Sequence, residues 1–182
     1  MPTLGVDVVV VEAGRVVLTR REDLGIWCLP GGGVDAGESV AHAAIREVRE
    51  ETGLDVRLTQ VVGIYSRPRW HGGGDHVVVF AAERIAGTLC GQAGEVGAVD
   101  FFATDVLPDQ LLWWHRLYIR DALDGRNGSV ARTIDAVWPF DREISHARLR
   151  TMRERGEFAS EIAALCTPPA IAGQRIDVGG ET

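Results

Sequence analysis

The sequence predicts an α/β fold, a mixed β-sheet packed between helices, with a C-terminal strand and helix extension. Three observations carry this. Short β-branched runs recur through the first half of the chain, a sharply bounded amphipathic helix interrupts them, and a second long helical stretch follows. The two kinds of segment are mixed rather than strictly alternating, so the sheet is expected to be mixed too.

Leu4–Val11 and Arg15–Thr19 read as a hairpin turning at Glu12-Ala13-Gly14. Ile26–Leu29 is a short apolar segment halted by Pro30 and by Gly31, Gly32 and Gly33. Ser39 is placed to cap a helix that runs to Thr52, and Gly53 suits the left-handed residue that ends it. Val56–Tyr65 and His76–Ile85 follow as strands joined by a Pro- and Gly-rich loop, Ser66 to Asp75, which would cover a ligand and close on binding. Val96–Phe102 is a further strand, and Leu107-Pro108 introduces a helix over Asp109–Leu123 closed by Asp124-Gly125. The turn-like Arg126-Asn127-Gly128 marks a boundary. It divides the chain into a domain over 1–125, an extension over 126–166 that packs on this domain or on a partner in a homodimer, and a loose Pro- and Gly-rich tail over 167–182. The extension holds a strand, Val130–Val137, and helical material from Asp141 to Cys166.

At 182 residues the chain is long enough for one well-buried core and too short for two full domains. No run approaches the ~18 apolar residues needed to cross a bilayer. The start lacks a signal-peptide pattern, and Asp7 interrupts its valines, so no membrane partner and a cytoplasmic address are expected. The net charge is −7 and all 19 basic residues are arginine. An acidic chain is a poor general binder of nucleic acid, so none is expected as a partner. Cys28, Cys90 and Cys166 show no metal-ligand spacing and read as buried or half-buried thiols.

The unusual stretch is GGGVDAGESVAHAAIREVREETGL, Gly31 to Leu54. Glu47, Glu50 and Glu51 stand at i, i+3 and i+4, so their carboxylates leave one helix face together. Arg46, four residues before Glu50, and Arg49 relieve part of the repulsion; Val40, Ala44, Ile45 and Val48 form the packing face. Taken alone, such a face is a solvated helix surface or a site for a hard cation such as Mg²⁺ or Mn²⁺. The preceding glycines let backbone approach a ligand closely, and free amides before a helix receive anionic oxygens.

Gly32, Glu38 and the run Arg46-Glu47-Val48-Arg49-Glu50-Glu51-Thr52-Gly53-Leu54 resemble the Nudix box at every defined position, and Trp27-Cys28-Leu29-Pro30-Gly31-Gly32 resembles its usual lead-in. The resemblance implies an α/β/α sandwich and metal-dependent hydrolysis of a small-molecule nucleoside diphosphate linked to another group. It implies Glu47, Glu50, Glu51 and the Gly31 carbonyl as ligands of Mg²⁺ or Mn²⁺. Arg46 would hold a glutamate by ion pairing, Glu38 would support the loop–helix junction, and Glu50 or Glu51 would take the proton from water. Val62-Gly63-Ile64-Tyr65-Ser66 and Phe101-Phe102 through Leu107-Pro108 resemble the ADP-ribose pyrophosphatase-like branch, which implies ADP-ribose or a nucleotide sugar as substrate. Nucleoside triphosphate clean-up and non-catalytic nucleotide sensing are the alternatives. Glu95 stands where many relatives place another acid, so it is a metal ligand, the base, or a solvated loop carboxylate.

For substrate contacts the sequence offers Arg20 and Arg21 at a strand end, Arg67 and Arg69 with Trp70 and His71 in the Gly-rich loop, and Trp27 and Tyr65 for stacking on a base. Phe101 and Phe102 alternate, so one alone faces the core. Trp113 and Trp114 stand about 100° apart on their helix, so at most one is expected to face the centre of the core, the other facing a dimer partner or the C-terminal segment. His42 and His115 read as structural or exposed, with no His-based catalytic pair.

Overall fold

The computed structural model describes residues 1–125, 130–141, 143–169 and 174–178. Its strands are β1 (Thr3–Glu12), β2 (Arg15–Arg21), β3 (Trp27–Cys28), β4 (Gly31–Gly33), β5 (Leu54–Arg67), β6 (Asp75–Gly87), β7 (Val96–Ala103), β8 (Val130–Ile134) and β9 (Gln174–Val178). Its helices are α1 (Val40–Thr52), α2 (Trp113–Leu123), α3 (His146–Glu154) and α4 (Ala159–Cys166).

β1 is the hub. Its end turns into β2, with Val11 opposite Val16, and β2 pairs in turn with β3 and β7. Its first half pairs antiparallel with β4 on one edge, and Thr3 to Val10 pair parallel with β6 on the other. β6 pairs antiparallel with β5, β5 parallel with β8, and β8 antiparallel with β9. The sheet is therefore mixed, and helices cover both of its faces.

The valine run of β1 explains how. Alternate residues of a strand point to opposite faces. Val6, Val8 and Val10 join Ala43, Ala44 and Val48 of α1, with Phe80 and Leu54, in one core layer. Val9 joins Leu18, Val79 and the α2 residues Trp114, Tyr118 and Ile119 in the other. Asp7 takes the α2 face as well, a carboxyl where the pattern calls for an apolar group. Phe101 and Phe102 point to opposite faces as alternation requires, but because both faces of the sheet carry a core layer each packs against one, which corrects the expectation that one alone meets the core.

Among the described residues the extension forms no separate hydrophobic cluster. Leu149, Phe158 and Leu165 are buried in the α2 layer. Trp113 and Trp114 are both buried, and Ala136 and Leu165 of the C-terminal segment, one of the two surroundings expected for the second indole, belong to the same core cluster. Other differences also have local causes. α2 starts at Trp113, since Leu111 bridges Trp27 and the Leu112 N–H donates to the Trp27 carbonyl at 3.1 Å. Gly156, at φ 68°, separates α3 from α4. In place of an open loop at 66–75, β5 and β6 run on to Arg67 and Asp75 around a single 3₁₀ turn whose Trp70 is buried. The predicted loose tail includes β9, paired with β8. Cys28 is buried and Cys166 half-buried as expected, whereas Cys90 is exposed. The turn at Arg126-Asn127-Gly128 lies outside the described residues. Among the described residues no helix is long and apolar enough to cross a membrane.

Candidate active site

The glutamate helix forms where its sequence says it should. Ser39 Oγ accepts the His42 N–H at 3.2 Å, and Gly53 closes the helix at φ 72° while donating to the Arg49 carbonyl. Ala43, Ala44, Val48 and Thr52 are buried against the sheet; Ile45, expected on that face, is 38% exposed. The opposite side carries the carboxylates.

Arg46 organises them. Its guanidinium donates to Glu38 Oε1 at 3.0 Å and Oε2 at 2.9 Å, to Glu47 Oε1 at 2.8 Å, to Glu50 Oε2 at 3.1 Å and to the Gly33 carbonyl at 3.1 Å. One planar fork thus ties three glutamates to the glycine strand. Glu38 also accepts the Asp35 N–H at 3.3 Å, and the Arg46 hydrogen bonds hold its carboxyl below its ordinary value. Glu51 accepts the Gly31 N–H at 3.1 Å. Burial pushes its pKa up to about 8 against that hydrogen bond. Burial raises Glu47 too, and the charge of Glu95, close by on the approach to β7, adds to it.

The glycines fit this arrangement sterically. A Cβ on Gly31 would fall closer than 3.0 Å to the Val6 carbonyl and the Asp7 carboxyl, and one on Gly32 closer than 3.0 Å to the Glu47 carboxylate. β4 is therefore a wall one backbone thick, with glutamates against one side.

On the other side lies a cavity of about 380 Å³, reached by Asp7, Cys28, Leu29, Val77, Leu112 and His115. The Leu29 N–H donates to His115 Nδ1 at 2.8 Å, so Nδ1 carries the lone pair. Burial, with Arg67 and Arg21 nearby, holds the ring well below its usual pKa, so the imidazole is neutral with its proton on Nε2. That N–H lies 3.7 Å from Asp7 Oδ2, beyond hydrogen-bonding distance. Burial pushes Asp7 up to about 8, opposed by Arg67.

The structure sorts the residues expected to touch substrate. Arg21 lines the cavity, gripped by Asp23 at 3.0 and 2.7 Å. Arg67 also reaches it, but is bound through two hydrogen bonds to Asp75, at 2.9 and 2.5 Å, with Trp70 and Trp114 over its guanidinium. Three assignments are corrected. Arg20 points away from its neighbour Arg21, as strand alternation demands, and donates to the Gly25 carbonyl near Arg153. Trp27 packs edge-on against Phe102, at 4.6 Å between ring centroids, away from the cavity. Tyr65 is fully buried and donates to Asp121 at 2.8 Å, itself in a two-point pair with Arg132. Arg69 pairs with Asp135 at the surface. Asp7 and His115 are the residues that sequence reasoning passed over. The one available signal was an acid breaking a valine run.

Among the described residues no three His, Cys, Asp or Glu side chains converge closely enough to hold a metal ion. Arg46 already stands between Glu47 and Glu50. The donor chemistry nonetheless suits a hard dication: three carboxylates on one face, two of them with pKa values raised by burial that nearby positive charge would relieve.

A sequence model of the NUDIX domain matches residues 1–122. The chain is 35% identical over 133 residues to an ADP-ribose pyrophosphatase of Methanocaldococcus jannaschii, covering 70% of this chain and 76% of that one. The crystal structure of a MutT NUDIX hydrolase from Burkholderia pseudomallei superimposes with a TM-score of 0.62 at 28% identity, over 66% of this chain and 98% of that one. A MutT protein from Bacillus halodurans gives a TM-score of 0.65 at 25% identity, over 76% and 93%. The glutamate face, the glycine wall and these likenesses agree: the chain belongs to the NUDIX family and is a pyrophosphohydrolase acting on phosphorus-containing anhydrides of nucleotide derivatives.

Proposed function

We propose that the protein hydrolyses the diphosphate link of a nucleoside diphosphate derivative, of ADP-ribose or nucleotide-sugar type, using Mg²⁺. The carrying observation is the set of carboxylates Glu47, Glu50 and Glu51, tied by Arg46 and Gly31 to one side of β4. The 35% identity to an ADP-ribose pyrophosphatase supports the substrate type. Glu47, Glu50, Glu51 and the Gly31 carbonyl would hold the ion. A bound dication supplies charge neutralisation for the diphosphate and Lewis acidity toward attacking water.

The chain's own groups do the rest. Arg46 fixes Glu47 and Glu50 in register, so their charge need not be reorganised during reaction. Glu50, about half exposed, or Glu51 accepts the proton of the water that attacks phosphorus. Glu95 adds negative charge beside Glu47, as a further ligand or as the base. Arg21, held by Asp23, faces the diphosphate from the cavity side.

The test is product analysis on a panel of nucleoside diphosphate derivatives and nucleoside triphosphates with Mg²⁺ or Mn²⁺. A nucleoside monophosphate plus a phosphorylated partner is the expected result. Pyrophosphate release from triphosphates alone would replace the substrate assignment, and tight binding without turnover would make the domain a sensor.

A further inference from the structure

We infer that the pocket between the β2–β3 turn and the C-terminal helices α3 and α4 is an anion site, in which the guanidiniums of Arg20 and Arg153 take a phosphate group. It shares no lining residue with the cavity beside Gly31–Gly33 and stands independently of the hydrolase reading.

The two arginines reach the pocket from far apart in the chain. Arg20 and Arg21 are neighbours on β2 and leave opposite faces, Arg21 toward the cavity and Arg20 toward this pocket. Arg153 comes from the last turn of α3. Gly25 lets them meet. It holds φ 72°, and from where a Cβ on it would stand, Arg153 Nη1 is 3.4 Å away and Arg20 Nη2 is 3.6 Å away. Both guanidiniums therefore border one point.

Each is tethered by a backbone carbonyl rather than by an acid. Arg20 Nε donates to the Gly25 carbonyl at 2.8 Å, and Arg153 Nη1 donates to the Glu22 carbonyl. Among the described residues neither guanidinium has a carboxylate partner, because the acids of the same turn are taken by others. Glu22 pairs with Arg150 at 3.1 Å, and Asp23 pairs with Arg21 at 2.7 Å and His146 at 3.0 Å. Two cations fixed side by side without a counter-charge repel each other, in a chain whose net charge is −7. An anion between them removes that repulsion, and the planar forks of N–H donors match phosphate oxygens.

The rest of the pocket agrees. Its volume of about 310 Å³ is in the range of small-molecule sites. Leu24, Phe158 and Ile162 give it an apolar wall, Gln110 adds a neutral polar group, and among the described residues no Asp or Glu lines it. That lining rejects a cation and admits a phosphate with or without a carbon frame attached.

Calorimetric titration of the intact protein with inorganic phosphate and with phenyl phosphate tests this, at constant ionic strength and with EDTA so that no metal at the glutamates holds the anion. Arg20→Gln and Arg153→Gln are each expected to weaken phosphate binding about ten-fold or more, and Arg21→Gln to leave it within about twofold. Binding that is absent at millimolar phosphate, unchanged in both pocket variants, or lost in Arg21→Gln alone overturns the site. Tighter binding of phenyl phosphate would assign a phosphorylated organic molecule lying on Leu24 and Phe158, and equal or weaker binding would assign free phosphate; either upholds the site. If a pocket variant does not fold, the arginine ¹⁵Nε signals of the unaltered protein decide. Phosphate should shift those of Arg20 and Arg153, and silence at both overturns the assignment.

Discussion

Glu51→Gln separates a metal ligand from a structural acid, because the structure gives different answers for stability and for rate. Without metal, Glu51 has its pKa pushed up to about 8 by burial, so near pH 7 it is mostly neutral. Glutamine is neutral, nearly isosteric, and keeps an oxygen for the Gly31 N–H now 3.1 Å away. Near pH 4, where Glu51 is largely neutral in the folded and the unfolded chain alike, metal-free stability should therefore change by no more than about 1 kcal/mol. Rate should change far more. Removing one of three carboxylates proposed to hold the dication is expected to cost about 10²- to 10⁴-fold in kcat/KM, roughly 3–6 kcal/mol of transition-state stabilisation at about 1.4 kcal/mol per decade. The same loss appears as linkage. The wild type should gain about 2.7 kcal/mol of stability at Mg²⁺ concentrations ~100 times Kd, and the variant much less. The assays are ADP-ribose hydrolysis across a Mg²⁺ titration and urea melts with EDTA or Mg²⁺. A variant within about threefold of wild-type kcat/KM, or one losing more than ~3 kcal/mol without metal, would refute the reasoning.

The raised pKa also sets a pH dependence. The folded value for Glu51, about 8, lies above the ordinary 4.5, so the folded state binds the extra proton between them; its contribution is complete below about pH 4.5 and is lost as pH rises toward 8. In urea melts with EDTA, Glu51→Gln should therefore gain on wild type steadily across that window, and a flat difference would contradict the buried-acid assignment. Gly31→Ala should destabilise by ~2 kcal/mol or more, since its Cβ strikes the β1 backbone, whereas Gly33→Ala, which meets nothing within 4 Å, should stay within about 0.5 kcal/mol; thermal melts compare them directly. Arg46→Lys keeps the charge but loses the fork that reaches Glu38, Glu47 and Glu50 at once, so kcat should fall while melting changes by about 1 kcal/mol or less, as befits a partly exposed network.

What the sequence revealed and what it hid follow from how local each feature is. α1, its Ser39 cap and its Gly53 stop depend on residues within one turn, so they were legible to the residue. The glutamate face was legible for the same reason. Arg20 and Arg21 show the opposite case. Adjacent on a strand, they must diverge, yet which one meets the site depends on pairing β2 with β7 and β3, information that residues 20 and 21 do not hold. Tyr65 was misplaced because its partners Asp121 and Arg132 come from α2 and β8, far along the chain. β4 has three glycines and no β-propensity; it is a strand only because β1 lies beside it.

That last point explains why the site needs this strand rather than a loop. A loop of three glycines would leave the distance between glutamates and cavity undefined. Paired to β1, Gly31 stands opposite Asp7 and Gly32 opposite Val6, so the separation is one backbone. Charge on either side is then felt on the other: Asp7 raises the pKa of Glu51, and Glu47 raises that of Asp7. Asp7 is buried and Glu51 half-buried, where such interactions are weakly screened. Positive charge gathered at the glutamates would ease ionisation of Asp7 as well, and with it the strength of whatever hydrogen bond Asp7 accepts. The glycine wall therefore keeps the glutamates and the Asp7 carboxyl within electrostatic reach of each other, with no moving part required.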